Sequence, residues 1–138
     1  MRKLFFISSL IITIFGSTCT KENSSFNINC DECYYIQPDS ANLVVNITIN
    51  SENPSVPLVF YRGKVEDGII EWVDTSSSPR LELYSPVNDY YSVEAIYKNG
   101  DKIIIAIDGT RLKLKHVSDV CDRDCWIITG GILDVRLK

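Results

Sequence analysis

The chain contains 138 residues, of which 45% are hydrophobic and 23% charged, with 14 basic and 18 acidic residues. This length suffices for one domain and is short for two, and the apolar content excludes an intrinsically disordered chain. The acidic balance argues against nucleic-acid binding, and the single histidine argues against sites built from several imidazoles.

A basic and then apolar segment opens the chain. Arg2 and Lys3 precede the uncharged run LFFISSLIITIF at residues 4–15. These twelve residues fit the apolar region of a signal peptide and fall short of the ~20 residues that span a bilayer. The segment predicts export, with residues 1–18 as the signal peptide.

Small residues and a cysteine follow at once, as Gly16-Ser17-Thr18-Cys19. This stretch resembles the lipobox of bacterial lipoproteins, although Gly16 and Thr18 replace the residues most common there. The resemblance implies cleavage before Cys19 and a lipid on its thiol, and two or three acyl chains make a stable anchor. The alternative is an ordinary cleaved signal with an incidental cysteine. Lipidation is favoured because Cys19 is the odd one of five cysteines.

Residues 20–29 (TKENSSFNIN) are polar, so residues 19–29 are expected to tether a domain at residues 30–138. Lys21-Glu22 is similar to the surface-export signal of Bacteroidota-type lipoproteins, without its usual acidic run. The whole chain resembles a small exported lipoprotein of that type. The resemblance implies a lipid anchor in the bacterial outer membrane, facing the periplasm or the cell surface.

Apolar and polar residues then alternate in short segments. Over residues 42–50, Leu43, Val45, Ile47 and Ile49 share one face, a period of two that predicts a half-buried strand. The same alternation recurs at residues 91–97 and 133–137. Apolar, β-branched or aromatic content predicts further strands at residues 57–65, 69–73, 80–84 and 102–107.

Turn dipeptides separate these segments and favour hairpins, at Asn99-Gly100, Asp108-Gly109, Asp67-Gly68 and Gly130-Gly131. Since helical spacing of apolar residues is missing, we expect almost no helix. Seven to nine short strands predict an all-β fold, a single antiparallel β-sandwich. Their order resembles immunoglobulin-like or transthyretin-like sandwiches, a likeness of fold that implies no activity.

Four cysteines remain in the domain, namely Cys30, Cys33, Cys121 and Cys125. In an oxidising compartment an even set predicts two disulfides. Disulfides between Cys30 and Cys33 and between Cys121 and Cys125 would close only small rings. Crossed pairs would close loops of roughly 90 residues, worth about 4–5 kcal/mol for the first link, so a crossed pairing is favoured. Which of the two crossed pairings forms stays open.

The spacing Cys30-x-x-Cys33 also occurs in thiol–disulfide oxidoreductases. Here Asp31 and Glu32 lie between the thiols and disfavour the thiolate that such enzymes need. Four thiolates binding zinc are the other alternative, disfavoured by the oxidising compartment. We expect no catalytic residue, metal or cofactor, because the sequence contains no GxSxG, Gly-rich phosphate loop or HExxH motif.

Seven tyrosines and two tryptophans suggest a surface that stacks on sugars, although aromatic residues more often fill a sandwich core. In the neighbouring pairs Tyr34-Tyr35 and Tyr90-Tyr91, one side chain of each should point outward. Asp39-Ser40-Ala41 resembles the O-glycosylation motif of Bacteroidota-type exported proteins, which implies Ser40 as an accessible acceptor.

The sequence therefore predicts a membrane-anchored envelope lipoprotein, a non-catalytic binding, accessory or structural module for an unknown protein or glycan partner. A glycan-binding surface module and a CxxC redox protein are the alternatives.

Overall fold

A computed structural model describes residues 28–138 of the chain. Within them lie a short 3-10 turn at Cys30–Glu32 and nine strands. The strands are β1 (Ser40–Asn46), β2 (Val56–Arg62), β3 (Ile69–Ser76), β4 (Arg80–Pro86), β5 (Tyr90–Asn99), β6 (Lys102–Arg111), β7 (Lys113–Val117), β8 (Cys125–Thr129) and β9 (Ile132–Asp134). The signal peptide, Cys19 and most of the tether lie outside the described residues.

The strands form two main sheets and a separate hairpin. One sheet has the order β4-β1-β9, the other has the order β3-β2-β5-β6, and β7 pairs with β8. Every pairing among these strands is antiparallel except β1 with β9, which is parallel. The all-β expectation is confirmed, and the parallel pair is its one departure from antiparallel order. No helix within residues 28–138 has the length and apolar character to cross a bilayer.

The inner faces of the two sheets meet in one hydrophobic core. Leu43 and Val45 of β1 are fully buried there against Leu58 of β2 and Val93 of β5. The alternation predicted for residues 42–50 is thus the inner face of β1. Ile47 remains buried although the strand ends one residue before it.

The β5–β6 hairpin confirms one predicted turn. Asn99 pairs with Lys102, and Gly100 takes a positive φ of 59° in the two-residue loop. The hairpin expected at Asp108-Gly109 is wrong, because both residues lie inside β6. Gly109 packs closely against Tyr90, since a Cβ at this position would meet the end of the Tyr90 side chain, which would have to move.

The pair Gly130-Gly131 does not form the expected hairpin either. Strand β8 pairs with β7, whereas β9 pairs with β1, so the two glycines carry the chain between sheets. Both have a φ of 79°, which glycine adopts without steric cost. The strand expected at residues 133–137 is shorter, because β9 ends at Asp134, yet Val135 stays buried.

Hydrogen bonds from the four-stranded sheet hold the C-terminal segment. The buried Tyr97 hydroxyl accepts the Thr48 N–H (3.1 Å) and donates to the Val135 carbonyl (2.8 Å). Burial raises the pKa of Tyr97 above its usual value of 10.0. The Asp108 carboxylate accepts the Asp134 N–H at 2.6 Å. These bonds connect the two layers at one edge of the sandwich.

Candidate functional site

The N-terminal cysteines are positioned by the 3-10 turn. The Asn29 side chain caps this turn by accepting the Asp31 N–H at 3.1 Å, and the Cys33 N–H closes it on the Cys30 carbonyl. Both cysteines therefore lie at the ends of one short turn. The carboxylates of Asp31 and Glu32 between them are exposed.

Two disulfides join this turn to the region around β8. Cys30 is bonded to Cys121 and Cys33 to Cys125, with Cα–Cα distances of 5.8 and 5.6 Å. Their sequence separations are 91 and 92 residues, so the crossed pairing favoured from the sequence is present. The sulfurs of Cys33 and Cys121 lie 3.7 Å apart, which brings both disulfides into one cluster.

This pairing bears on the two alternative functions of the cysteines. A CxxC redox cycle makes and breaks a bond between the two cysteines of the motif, whereas Cys30 and Cys33 are each bonded to a distant residue. The sulfurs of Cys33, Cys121 and Cys125 lie within 4.8 Å of one another, a spacing that suits a metal. Zinc binds thiolates, and a disulfide offers none.

A group of aromatic side chains surrounds the disulfides. The main chains of Tyr34 and Trp126 form a two-bond bridge, with both N–H···O distances at 2.8 Å. The guanidinium of Arg123 lies 4.0 Å above the ring of Tyr35, and the rings of His116 and Trp126 are 4.7 Å apart. We call these five residues the aromatic surface.

Tyr34 and Tyr35 are both about half-exposed, but Arg123 covers one face of the Tyr35 ring. Tyr34 is 49% exposed and Tyr35 is 52% exposed, and Ile36 beyond them is largely exposed as well. Arg123 stacks on one face of the Tyr35 ring in a cation–π contact. Both tyrosines point outward, where the sequence predicted only one.

A cleft of about 640 Å³ lies beside Tyr34. Its floor comes from β8 and its rim from the 3-10 turn. The lining residues are Ile28, Asn29, Asp31, Glu32, Cys33, Tyr34, Ile127, Ile128 and Thr129. The cleft therefore combines an aromatic ring, aliphatic side chains and two carboxylates.

The other predicted surface residues are less accessible than expected. Tyr91 is buried, with its hydroxyl donating to the Pro86 carbonyl at 2.7 Å, and Tyr90 is half-buried over Gly109. Burial raises the pKa of Tyr91. Ser40 is half-buried as the first residue of β1, so glycosylation there stays a prediction.

Sequence reasoning missed two surface features. Tyr84 on β4 is 74% exposed. The outer face of the four-stranded sheet carries the exposed isoleucines 103, 105 and 107 of β6. The signal for the second feature was the apolar run at residues 102–107, which does not reveal whether either side of a strand is covered.

No protein-family model, curated protein or solved structure matches this chain. The site must therefore be interpreted from its own geometry.

Proposed function

We propose that the protein is a bacterial envelope lipoprotein, anchored to the outer membrane by a lipid on Cys19, whose domain is a non-catalytic binding module. Export is supported by the two disulfides, since such bonds persist in oxidising compartments. The lipid anchor is supported by the lipobox-like residues ahead of Cys19.

The observation that carries the binding role is the exposure of Tyr34 and Tyr35 on a segment fixed by disulfides. Tyrosine, tryptophan and arginine dominate the energetics of protein interfaces, and the aromatic surface contains all three. Covalent fixation lowers the entropy lost when a partner binds. The partner class that this surface fits best is another protein.

A second candidate function is glycan binding in the cleft beside Tyr34. The half-exposed Tyr34 ring offers a face on which a sugar can stack, and the Asp31 and Glu32 carboxylates can accept hydrogen bonds from sugar hydroxyls. The Tyr35 ring is less suited to stacking because Arg123 covers one of its faces.

The anchor is tested by metabolic labelling with a radioactive fatty acid and by membrane fractionation. The wild-type chain is expected to carry the label and to fractionate with the outer membrane. Cys19→Ala should lose both properties, whereas Thr18→Ser, which restores a common lipobox residue, should keep them. A labelled, membrane-bound Cys19→Ala variant would disprove the anchor.

The binding surface is tested with a photo-crosslinking amino acid placed at Tyr35 in the full chain, with the same substitution at Tyr84 as the control. A protein adduct is expected from position 35 and not from position 84, and Arg123→Ala should reduce it severalfold. Equal adducts at both positions would contradict the assignment. Substrate turnover by the purified wild-type chain, including reduction of insulin disulfides, would contradict the non-catalytic role.

Binding to a glycan array by the purified chain, lost in Tyr34→Ala and kept in Tyr84→Ala, would support the second candidate. Identical array profiles of these two variants would exclude the cleft as the glycan site.

A further inference from the structure

The outer face of the four-stranded sheet is strongly apolar. Ile103, Ile105 and Ile107 of the edge strand β6 are 71%, 56% and 56% exposed, and Val73 of β3 is 64% exposed. The residues that alternate with them on these strands, Ile104, Ala106 and Trp72, are partly buried against the core, so the exposed side chains share one outer face. We call it the isoleucine face, with Val59, Ile70, Val73, Ile96, Ile103, Ile105 and Ile107 as its apolar members.

The isoleucine face is comparable in area to apolar patches that often bind partners. A fully exposed aliphatic side chain presents roughly 60–120 Å², so the exposed parts of these residues sum to about 200–450 Å². The largest apolar patch on a typical monomer has an area of about 300–600 Å² and is often a binding site. The outer face of the other sheet differs, because Asn42, Arg80 and Glu82 lie there and are exposed.

Two charged residues interrupt the apolar surface in a symmetrical way. The register places Glu94 between Val59 and Ile107. Two residues further along β5, Ile96 pairs with Ile105, and two residues further again Lys98 pairs with Ile103. The backbone positions of Glu94 and Lys98 are thus equally far from Ile96 along β5, and the Glu94 carboxylate also accepts the Tyr61 hydroxyl at 2.9 Å.

We propose that the isoleucine face binds the same face of a second copy of this chain. A two-fold axis that crosses the strands at Ile96 runs the two β5 strands antiparallel. It places Glu94 against the partner's Lys98, twice per dimer, and Ile105 against the partner's Ile105. The parallel arrangement would instead place Glu94 against the partner's Glu94, so the charges select one orientation.

Known sheet packing fits this arrangement. Stacked sheets lie about 10 Å apart with nearly aligned strands, which is the distance that interdigitating isoleucines fill. About 200–450 Å² of apolar surface per copy gives about 400–900 Å² in total, which is the size of a weak, transient contact. We therefore expect a reversible dimer. This inference does not depend on the lipid anchor or on the aromatic surface.

Edge pairing is the competing arrangement, because β6 is an edge strand of the four-stranded sheet in the part of the chain that the structure describes. Pairing β6 with the partner's β6 would extend the sheet and leave Glu94 and Lys98 outside the contact. The two arrangements therefore predict different effects of charge substitutions, which makes them distinguishable.

The first test is zero-length cross-linking with a carbodiimide on intact cells expressing the full chain. A covalent dimer should appear, and its peptides should contain Glu94 joined to Lys98. Within one chain these residues are four positions apart on a strand, about 13 Å between Cα atoms, and side chains at that distance do not meet. Absence of a dimer, or a dimer joined through β6 side chains alone, would overturn the proposal. Glu94 or Lys98 joined to a different protein would also overturn it.

The second test exchanges the charges. Two differently tagged full chains are co-expressed, and co-purification of one tag with the other measures dimerisation. Glu94→Lys and Lys98→Glu should each reduce the co-purified tag about tenfold, since each places like charges together twice. The double variant should restore it, because the opposite charges then meet again. Glu82→Lys, the same charge change on the other sheet, is the control and should have no effect.

The third test removes the apolar contact at the axis. Ile105→Ser should reduce co-purification about tenfold, whereas Ile132→Ser, at an equally exposed position on β9, should not. Retained disulfides and protease resistance in every variant confirm folding. Failure of the double charge variant to restore the dimer, or equal losses from Ile105→Ser and Ile132→Ser, would overturn the proposal.

Discussion

The two ends of the described chain are held to the sandwich by different chemistry. The N-terminal segment, residues 28–36, has no buried residue and is joined by two disulfides and the Tyr34–Trp126 bridge. The C-terminal segment, residues 133–137, buries Leu133 and Val135. It accepts a hydrogen bond from Tyr97 and donates others to Asp108 and Thr48.

This difference follows from composition. The sequence of the N-terminal segment, INCDECYYI, does not alternate apolar and polar residues, so neither a strand face nor burial can hold it. The C-terminal sequence LDVRL does alternate, and its apolar side chains enter the core. A disulfide acts mainly by restricting the unfolded chain, whereas burial and hydrogen bonds stabilise the folded one.

Among changes to these two segments, removal of both disulfides should lower the free energy of unfolding most. Replacement of all four cysteines of the domain by serine is expected to lower the free energy of unfolding by about 7 kcal/mol. Removing either pair alone should cost only about 2–3 kcal/mol, because the remaining disulfide still closes a loop of about 90 residues. Urea denaturation of the purified chain followed by circular dichroism measures these values.

If the stability losses from removing each disulfide alone added up to the loss from removing both, the argument that either disulfide closes the same long loop would be wrong. Cys30→Ser with Cys121→Ser and Cys33→Ser with Cys125→Ser serve as matched controls for each other, since their loops differ by one residue.

The next effect in size concerns the C-terminal segment. Tyr97→Phe removes a hydroxyl that satisfies the Thr48 N–H and the Val135 carbonyl, so it should cost about 1–3 kcal/mol. Tyr84→Phe, at an exposed position, should be neutral. Urea denaturation of both variants at pH 7 tests this, and equal stabilities would show that water replaces the lost bonds.

A smaller effect should appear in alkali. The pKa values of Tyr97, Tyr91 and Tyr61 are raised above 10.0, in each case chiefly by burial. The unfolded tyrosines therefore lose their protons first, so the contribution of these three tyrosines to stability is complete below about pH 10 and declines as the pH rises further. Unfolding free energies at pH 8 and 11 measure the decline, which should be shallower in Tyr97→Phe. An unchanged slope would mean that Tyr97 does not contribute to it.

The smallest effect should come from the surface pair near the C-terminus. Side-chain hydrogen bonds from Arg136 lower the pKa of Asp134 from 3.8 to about 2. The contribution of this carboxylate is complete above pH 3.8 and is lost as the pH falls through about 2. Asp134→Asn should therefore lower stability slightly at pH 6, and the difference from wild type should vanish near pH 2. A constant difference across this range would contradict the assignment.

The fold was predictable from the sequence where the signals are local. Alternation identified the inner face of β1 and of β5, and the spacing of the four cysteines favoured the crossed pairing. The hairpin predicted at Asp108-Gly109 was wrong because such a dipeptide favours a turn only where no neighbouring strand pairs with it. Here pairing with Val93 and Ser92 of β5 keeps Asp108 and Gly109 extended, and such pairing is invisible to a local pattern.

The pairing of strands far apart in the chain was the main feature that the sequence did not predict. The parallel pairing of β1 with β9 joins residues 44–46 to residues 132–134, and nothing in either segment specifies the direction of the partner. The aromatic surface was only partly predictable. The sequence predicted one outward side chain in the Tyr34-Tyr35 pair, whereas both are exposed, and the placement of Arg123 over Tyr35 depends on contacts far apart in the chain.

The crossed disulfides also determine where mechanical force travels. A pull on the chain ahead of Cys30 passes through two sulfur–sulfur bonds to Cys121 and Cys125. Residues 34–120 lie within the covalent ring and bear little of that load. Strands β1 to β7 are therefore shielded from being peeled apart by tension from the N-terminal side.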